Sequence, residues 1–203
     1  MKLFYAPGTI AAASLIALCE TDAAFEPVRL NFADKQQTEP EYLAINPKGR
    51  VPALVTHDGV ITETAAILTY IAETNPTANL IPSDPFKRAK MNEVISYLAS
   101  TVHVNHAHKM RGHRWADQQS SWEDMTARTA QNMLDCFGLI EDALKTGPWI
   151  IDDQYTIADA HLYIIESWLE GDGVSLSKLP NVAAHFDRVN QRPAVKRALK
   201  IMS

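Results

Sequence analysis

The sequence predicts an α/β domain followed by an all-α domain. Three observations carry this: a βαβ pattern over residues 2–32, a hairpin signal around Asp58-Gly59, and helical periodicity without a further strand pair after residue 86. Residues 2–6 read as a short strand, Pro7-Gly8 as a turn, and residues 10–20 as a helix built on Ile10, Ala13, Leu15, Ile16, Ala17 and Leu18. Residues 26–32 read as a second strand, and a unit of about 30 residues is what a crossover helix needs to join two parallel strands. After a short helix over 41–45, the apolar runs 51–55 and 60–61 flank His57-Asp58-Gly59, a hairpin turn signature. A helix over 64–73 completes the order β-α-β-α-β-β-α.

Residues 76–85 hold Pro76, Pro82 and Pro85 with few apolar side chains, the composition of a linker. The domains are therefore expected at 1–76 and 87–203, with 77–86 between them. Helices are predicted over 86–108, 119–144, 156–168, 180–191 and 193–201. Thr156-Ile157-Ala158-Asp159 reads as a capping box with Asp in place of the usual Glu, a structural device without chemistry of its own.

A chain of 203 residues with 46% hydrophobic content supplies ample core for this plan. Net charge is -5 and the basic residues are dispersed, which leaves no footprint for nucleic acid or an anionic membrane and favours a small-molecule partner. No stretch approaches the roughly 18 apolar residues of a membrane span, and the Pro7-Gly8 turn precedes any apolar run of signal-peptide length, so a cytoplasmic location is expected. Cys19 and Cys136 are far apart and form no CxxC, so both are expected as buried packing residues.

Asn46-Pro47-Lys48-Gly49-Arg50-Val51-Pro52-Ala53-Leu54 resembles the loop into the third strand of the cytosolic glutathione transferases, and Ile61-Thr62-Glu63-Thr64-Ala65-Ala66-Ile67 resembles the start of their following helix. The resemblance covers essentially the whole chain and is closest to the bacterial beta class. It implies a thioredoxin-like first domain, glutathione as co-substrate and a small hydrophobic electrophile between the domains. It also implies a homodimer and a detoxifying role, with no metal.

The residues suit that ligand. A cis bond at Pro52 would turn the Val51 amide and carbonyl out of the sheet to pair with an extended peptide. Thr64, expected as a helix N-cap, would aim its hydroxyl and neighbouring amides at the glutamyl carboxylate. Glu63 can bind the glutamyl α-amino group, and Lys35 or Arg50 the glycyl carboxylate.

Transferase chemistry needs a thiolate, yet an unperturbed thiol has a pKa of about 8.5. One hydrogen bond to the charged sulfur, roughly 1.5 to 3 kcal/mol, lowers that by about one to two units. The beta class usually carries a cysteine where this chain has Ile10, so exchange through an enzyme thiol is not expected. Thr9, just before the first helix, is the leading thiol-stabilising candidate. Tyr5 is second, since other classes use a tyrosine near the end of the first strand, and Ser14 is third. His103 matches a beta-class histidine near the sulfur and is a proton-carrier candidate; Ser96 and Ser100 match glutathione contacts, with Ser100 facing His103 at i, i+3.

His103, His106, His108 and His113 cluster in sequence, but only His103 and His106 share helical ligand spacing and no HExxH is present, so no zinc site is expected. Gly112 interrupts the helix, and Arg111, Arg114 and Trp115 offer cations and an aromatic face for a substrate wall. The missing cysteine also leaves open a transferase-like binding protein of the RNA polymerase-associated type, or a glutathione peroxidase that uses only bound glutathione.

Overall fold

The computed structural model describes all residues from 1 to 203. They form two compact units, Met1–Ser83 together with Val189–Ser203, and Asp84–Arg188.

The first unit begins with the elements in the predicted order: β1 (Lys2–Tyr5), α1 (Ala11–Cys19), β2 (Glu26–Arg29), α2 (Pro40–Leu43), β3 (Ala53–Val55), β4 (Val60–Thr62) and α3 (Thr64–Thr74). The strands form one mixed sheet in the order β2-β1-β3-β4. Leu3 lies opposite Pro27 in the parallel β1-β2 pair and opposite Leu54 in the antiparallel β1-β3 pair, and Leu54 faces Ile61 across the hairpin. Pro27 cannot donate to a ladder, and it sits on the edge strand where none is needed. All nine residues of α1 are buried, as a helix apolar on every side must be.

The second unit contains α4 (Pro85–Tyr97), α5 (His103–Arg111), α6 (Gln119–Ala143), α7 (Ile157–Glu166) and most of α8 (Pro180–Asn190). The sequence predicts one helix over 86–108. Instead α4 and α5 are joined by a π-helical turn, Leu98–Val102, in which the His103 amide donates to the Leu98 carbonyl. The wider turn shifts the register of everything after it, so Ser100 and His103 do not have the i, i+3 relation of an α-helix. At the end of α5, a β-carbon on Gly112 would come within 3.0 Å of the Cα and Cβ of Trp122, so the approach of α6 requires a glycine there.

Thr156 and Asp159 form the predicted capping box of α7. Asp159 is fully buried and its carboxylate accepts from the amides of Ile150 (2.8 Å) and Thr156 (2.7 Å) and from His185 Nε2 (3.0 Å). The other nitrogen of His185 meets Glu166 Oε1 at 2.8 Å. Burial pulls the His185 pKa down, but the Glu166 charge and hydrogen bonds to Asp159 and Glu166 outweigh it and leave the value raised to about 9. Burial raises the Glu166 pKa by more than His185 lowers it.

The last helix, α9 (Pro193–Met202), returns to the first unit and packs on α1. Arg192 forms a two-pronged pair with Glu20 (2.6 and 2.9 Å), Arg197 donates to the Cys19 carbonyl, and the Tyr5 hydroxyl donates to the Ile201 carbonyl at 2.9 Å. These bonds explain why residues 189–203 group with the first unit, whereas the sequence places 87–203 in one helical domain. No helix is long and apolar enough to cross a membrane.

Candidate active site

The loop before β3 is pinned by side chains from within it and from α2. The Tyr42 hydroxyl and the Asn46 amide both donate to the Arg50 carbonyl at 2.6 Å, and Asn46 Oδ1 accepts from the Lys48 amide at 3.2 Å. Burial raises the Tyr42 pKa and keeps the phenol a donor. Gly49 has φ of +59°, and a β-carbon there would stand 3.1 Å from the Gln37 carbonyl oxygen. The Val51-Pro52 peptide that follows is cis. Val51 shares one buried cluster with Tyr5, Ala6, Ala11, Tyr42 and Ala53, so the end of β1, the start of α1 and the entry to β3 lie together.

At the other end of the hairpin, Glu63 has φ of +72° and ψ of 126° and occupies the N-cap position of α3. A residue with a β-carbon held there costs about 1–3 kcal/mol, a kind of strain that concentrates at ligand sites. Thr64, expected as the cap, is instead the first helical residue and is buried; no side chain caps the helix, so its first amides can serve an incoming anion. Lys48 reaches across to this end of the hairpin: its Nζ donates to Thr62 Oγ1 at 2.7 Å and to Glu63 Oε1 at 2.5 Å. Lys35, in a left-handed turn, and Arg50 have exposed side chains available to a carboxylate.

At the start of α1, Thr9 Oγ1 donates to the Ala6 carbonyl at 2.7 Å, and the Tyr5 hydroxyl is engaged by Ile201. Each hydroxyl has one proton, so neither can donate to a sulfur without releasing that carbonyl. Ile10 occupies the N-cap and provides no side-chain cap. The Ser14 hydroxyl is fully buried within the core and has no partner.

In the second unit, Ser96 and Ser100 are exposed and Ser100 Oγ donates to the Ser96 carbonyl at 2.8 Å. The His103 ring lies 5.1 Å from Trp168, on which His106 stacks at 4.2 Å. His106 Nδ1 meets Asp172 Oδ2 at 2.7 Å, which gives this imidazole a carboxylate partner. His161, fully enclosed nearby, is held neutral by burial and the charge of His103, its pKa lowered to about 3. Within the stretch read as a substrate wall, Lys109 is bonded to Gly171 and Asp172, while Trp115 is half-exposed with its ring 4.6 Å from His108.

Residues 1–73 match the family model for the glutathione S-transferase N-terminal domain, and residues 106–200 match that for the C-terminal domain. Glutathione S-transferase GstA of Escherichia coli O157:H7 is 33% identical over 202 residues, which span 98% of this chain and 97% of that protein. The chain belongs to the glutathione S-transferase family.

Two solved glutathione transferases extend the likeness to the backbone. A homologue from Sulfitobacter, crystallised with bound glutathione, has a TM-score of 0.96 at 44% identity and covers 98% of this chain and 97% of its own. The beta-class glutathione S-transferase of Sphingomonas chungbukensis has a TM-score of 0.87 at 31% identity, covering 100% and 99%. The chain is thus a glutathione S-transferase family enzyme with a four-stranded mixed sheet in its first domain and a helical second one.

Three residues of the transferase's N-terminal edge escape a reading of the sequence: Tyr42 and Asn46, which hold the Arg50 carbonyl, and Lys48, which pairs with Glu63. The Asn46-Pro47-Lys48-Gly49 motif marks the loop, but nothing in it signals that the lysine ends on a carboxylate 15 residues later.

Proposed function

We propose that this chain binds glutathione along Val51, Glu63 and Thr64, stabilises its thiolate at the start of α1, and promotes attack of the sulfur on a hydrophobic electrophile. The observation that carries the reading is Glu63, held at φ +72° on the uncapped amino end of α3. Its carboxylate suits the glutamyl α-amino group, and the first amides of α3 with Thr64 suit the glutamyl carboxylate. The glutathione bound in the Sulfitobacter homologue supports the same ligand here. Lys35 or Arg50 takes the glycyl carboxylate.

With the Thr9 and Tyr5 hydroxyls already donating to carbonyls, and the Ala12 and Ala13 amides to the carbonyls of Thr9 and Ile10, the Ile10 and Ala11 amides at the start of α1 become the leading source of thiolate stabilisation, with Thr9 able to join by releasing Ala6. His103 is proposed as a proton carrier, and Ser96 and Ser100 as further glutathione contacts, on the family likeness. The homodimer, cytoplasmic location and detoxifying role belong to the same proposal. Retention on immobilised glutathione and turnover of a chloronitroaromatic acceptor test it; a protein that is neither retained nor active overturns it.

A further inference from the structure

We propose that Lys48 is the resident counter-ion of the Glu63 carboxylate, that the α-ammonium of the glutamyl group displaces it, and that Lys48 thereby sets how strictly the site demands that amine. The inference rests on the glutathione reading above and extends it to ligand specificity.

The geometry is specific. The loop that carries Lys48 is fixed by Tyr42 and Asn46 on the Arg50 carbonyl and by Asn46 on the Lys48 amide, which leaves the lysine a defined reach. Its ammonium takes Thr62 Oγ1 at 2.7 Å and Glu63 Oε1 at 2.5 Å. A lysine ammonium and an amino-acid α-ammonium present the same three donors and the same charge, so each satisfies this pair of acceptors in the same way. The Glu63 backbone, at φ +72°, holds the carboxylate in place for either occupant.

The exchange is easy because the pair stands in water. The side chains of Lys48 and Glu63 are 43% and 70% exposed, and an ion pair so exposed holds its partners only weakly. A γ-glutamyl ligand trades one ammonium for another and releases Lys48 to solvent. A γ-acyl ligand without the amine leaves Lys48 on Glu63, and the lysine keeps the site neutral beside the ligand's own carboxylate. Lys48 therefore taxes glutathione slightly and protects amine-free analogues.

Calorimetric titration at low salt tests this on the intact protein and its Lys48→Met and Lys48→Arg variants. The two ligands are glutathione and the analogue whose α-amino group is replaced by hydrogen. Lys48→Met is expected to bind glutathione about two- to fivefold tighter, the range that removal of an exposed ion pair allows, and the analogue no tighter. Lys48→Arg, which keeps the charge, should behave as the unaltered protein. An unchanged preference between the ligands, or weaker glutathione binding in Lys48→Met, overturns the inference, since Lys48 would then grip the ligand itself. If the unaltered protein takes up neither ligand, the glutathione reading falls and this inference falls with it.

Discussion

Two groups of carboxylates in this chain are used in opposite ways. Asp159 and Glu166 are sealed in the second unit around His185, with no exposed surface on any of the three side chains. Glu63 stands at the edge of the first unit, mostly exposed, on a strained backbone and paired with a lysine that water can replace. Solvent makes the difference. A carboxylate that has lost its hydration must be matched permanently, because an uncompensated buried charge costs far more than any single bond returns. A carboxylate left in water holds its partner loosely and can exchange it for a ligand.

Breaking the buried group should produce the largest effect. Asp159→Ala leaves two backbone amides and His185 Nε2 without an acceptor and should cost about 3–5 kcal/mol in denaturant unfolding, with Asp159→Asn recovering part of it. If the loss is below about 1 kcal/mol, the contrast between the two groups is lost.

Acidity gives the next test. The folded pKa of His185 is raised to about 9 above its ordinary 6.5, so its contribution is fully present below pH 6.5 and is lost as pH rises through 9. Glu166, also raised, adds a loss in the same direction as pH rises. Stability should fall by roughly 3 kcal/mol between pH 6.5 and 9, and His185→Gln should flatten that slope. A slope that survives the substitution would assign the titration elsewhere.

At the exposed carboxylate the expectation is reversed, with affinity moving and stability not. Glu63→Gln should weaken glutathione by about two- to fivefold in calorimetry while unfolding shifts by no more than about 0.5 kcal/mol. Glu63→Gly should also lose affinity but gain up to about 1 kcal/mol of stability, because glycine relaxes the positive φ. Tyr5→Phe completes the series: it should cost about 1 kcal/mol through the unpaired Ile201 carbonyl and leave the pKa of bound glutathione unchanged. A raised thiol pKa in that variant would restore Tyr5 as the donor to sulfur.

The difference between these regions also governs what the sequence discloses. Period, turn residues and the Thr156–Asp159 box are local signals, and the elements built on them lie within a few residues of expectation. The π turn is hidden because Leu98-Ala99-Ser100-Thr101-Val102 is compatible with ordinary helix. The destination of α9 is hidden for another reason: an amphipathic face declares that it must be covered and not by what, and its partner α1 lies more than 170 residues away. Within the site, the Asn46 and Glu63-Thr64 motifs are legible, whereas the φ of Glu63 and the engagement of the Tyr5 and Thr9 hydroxyls depend on neighbours that only the folded chain assembles.

The return of α9 has a consequence for synthesis. α1 is apolar on every side, and one of the helices that covers it is translated only after the whole of the second unit. The first unit therefore cannot close while the second is being made, and its most hydrophobic helix waits partly uncovered through translation of residues 84–188. A chain cut before α9, though it keeps every residue of the candidate site, should be one that chaperones retain or proteases remove.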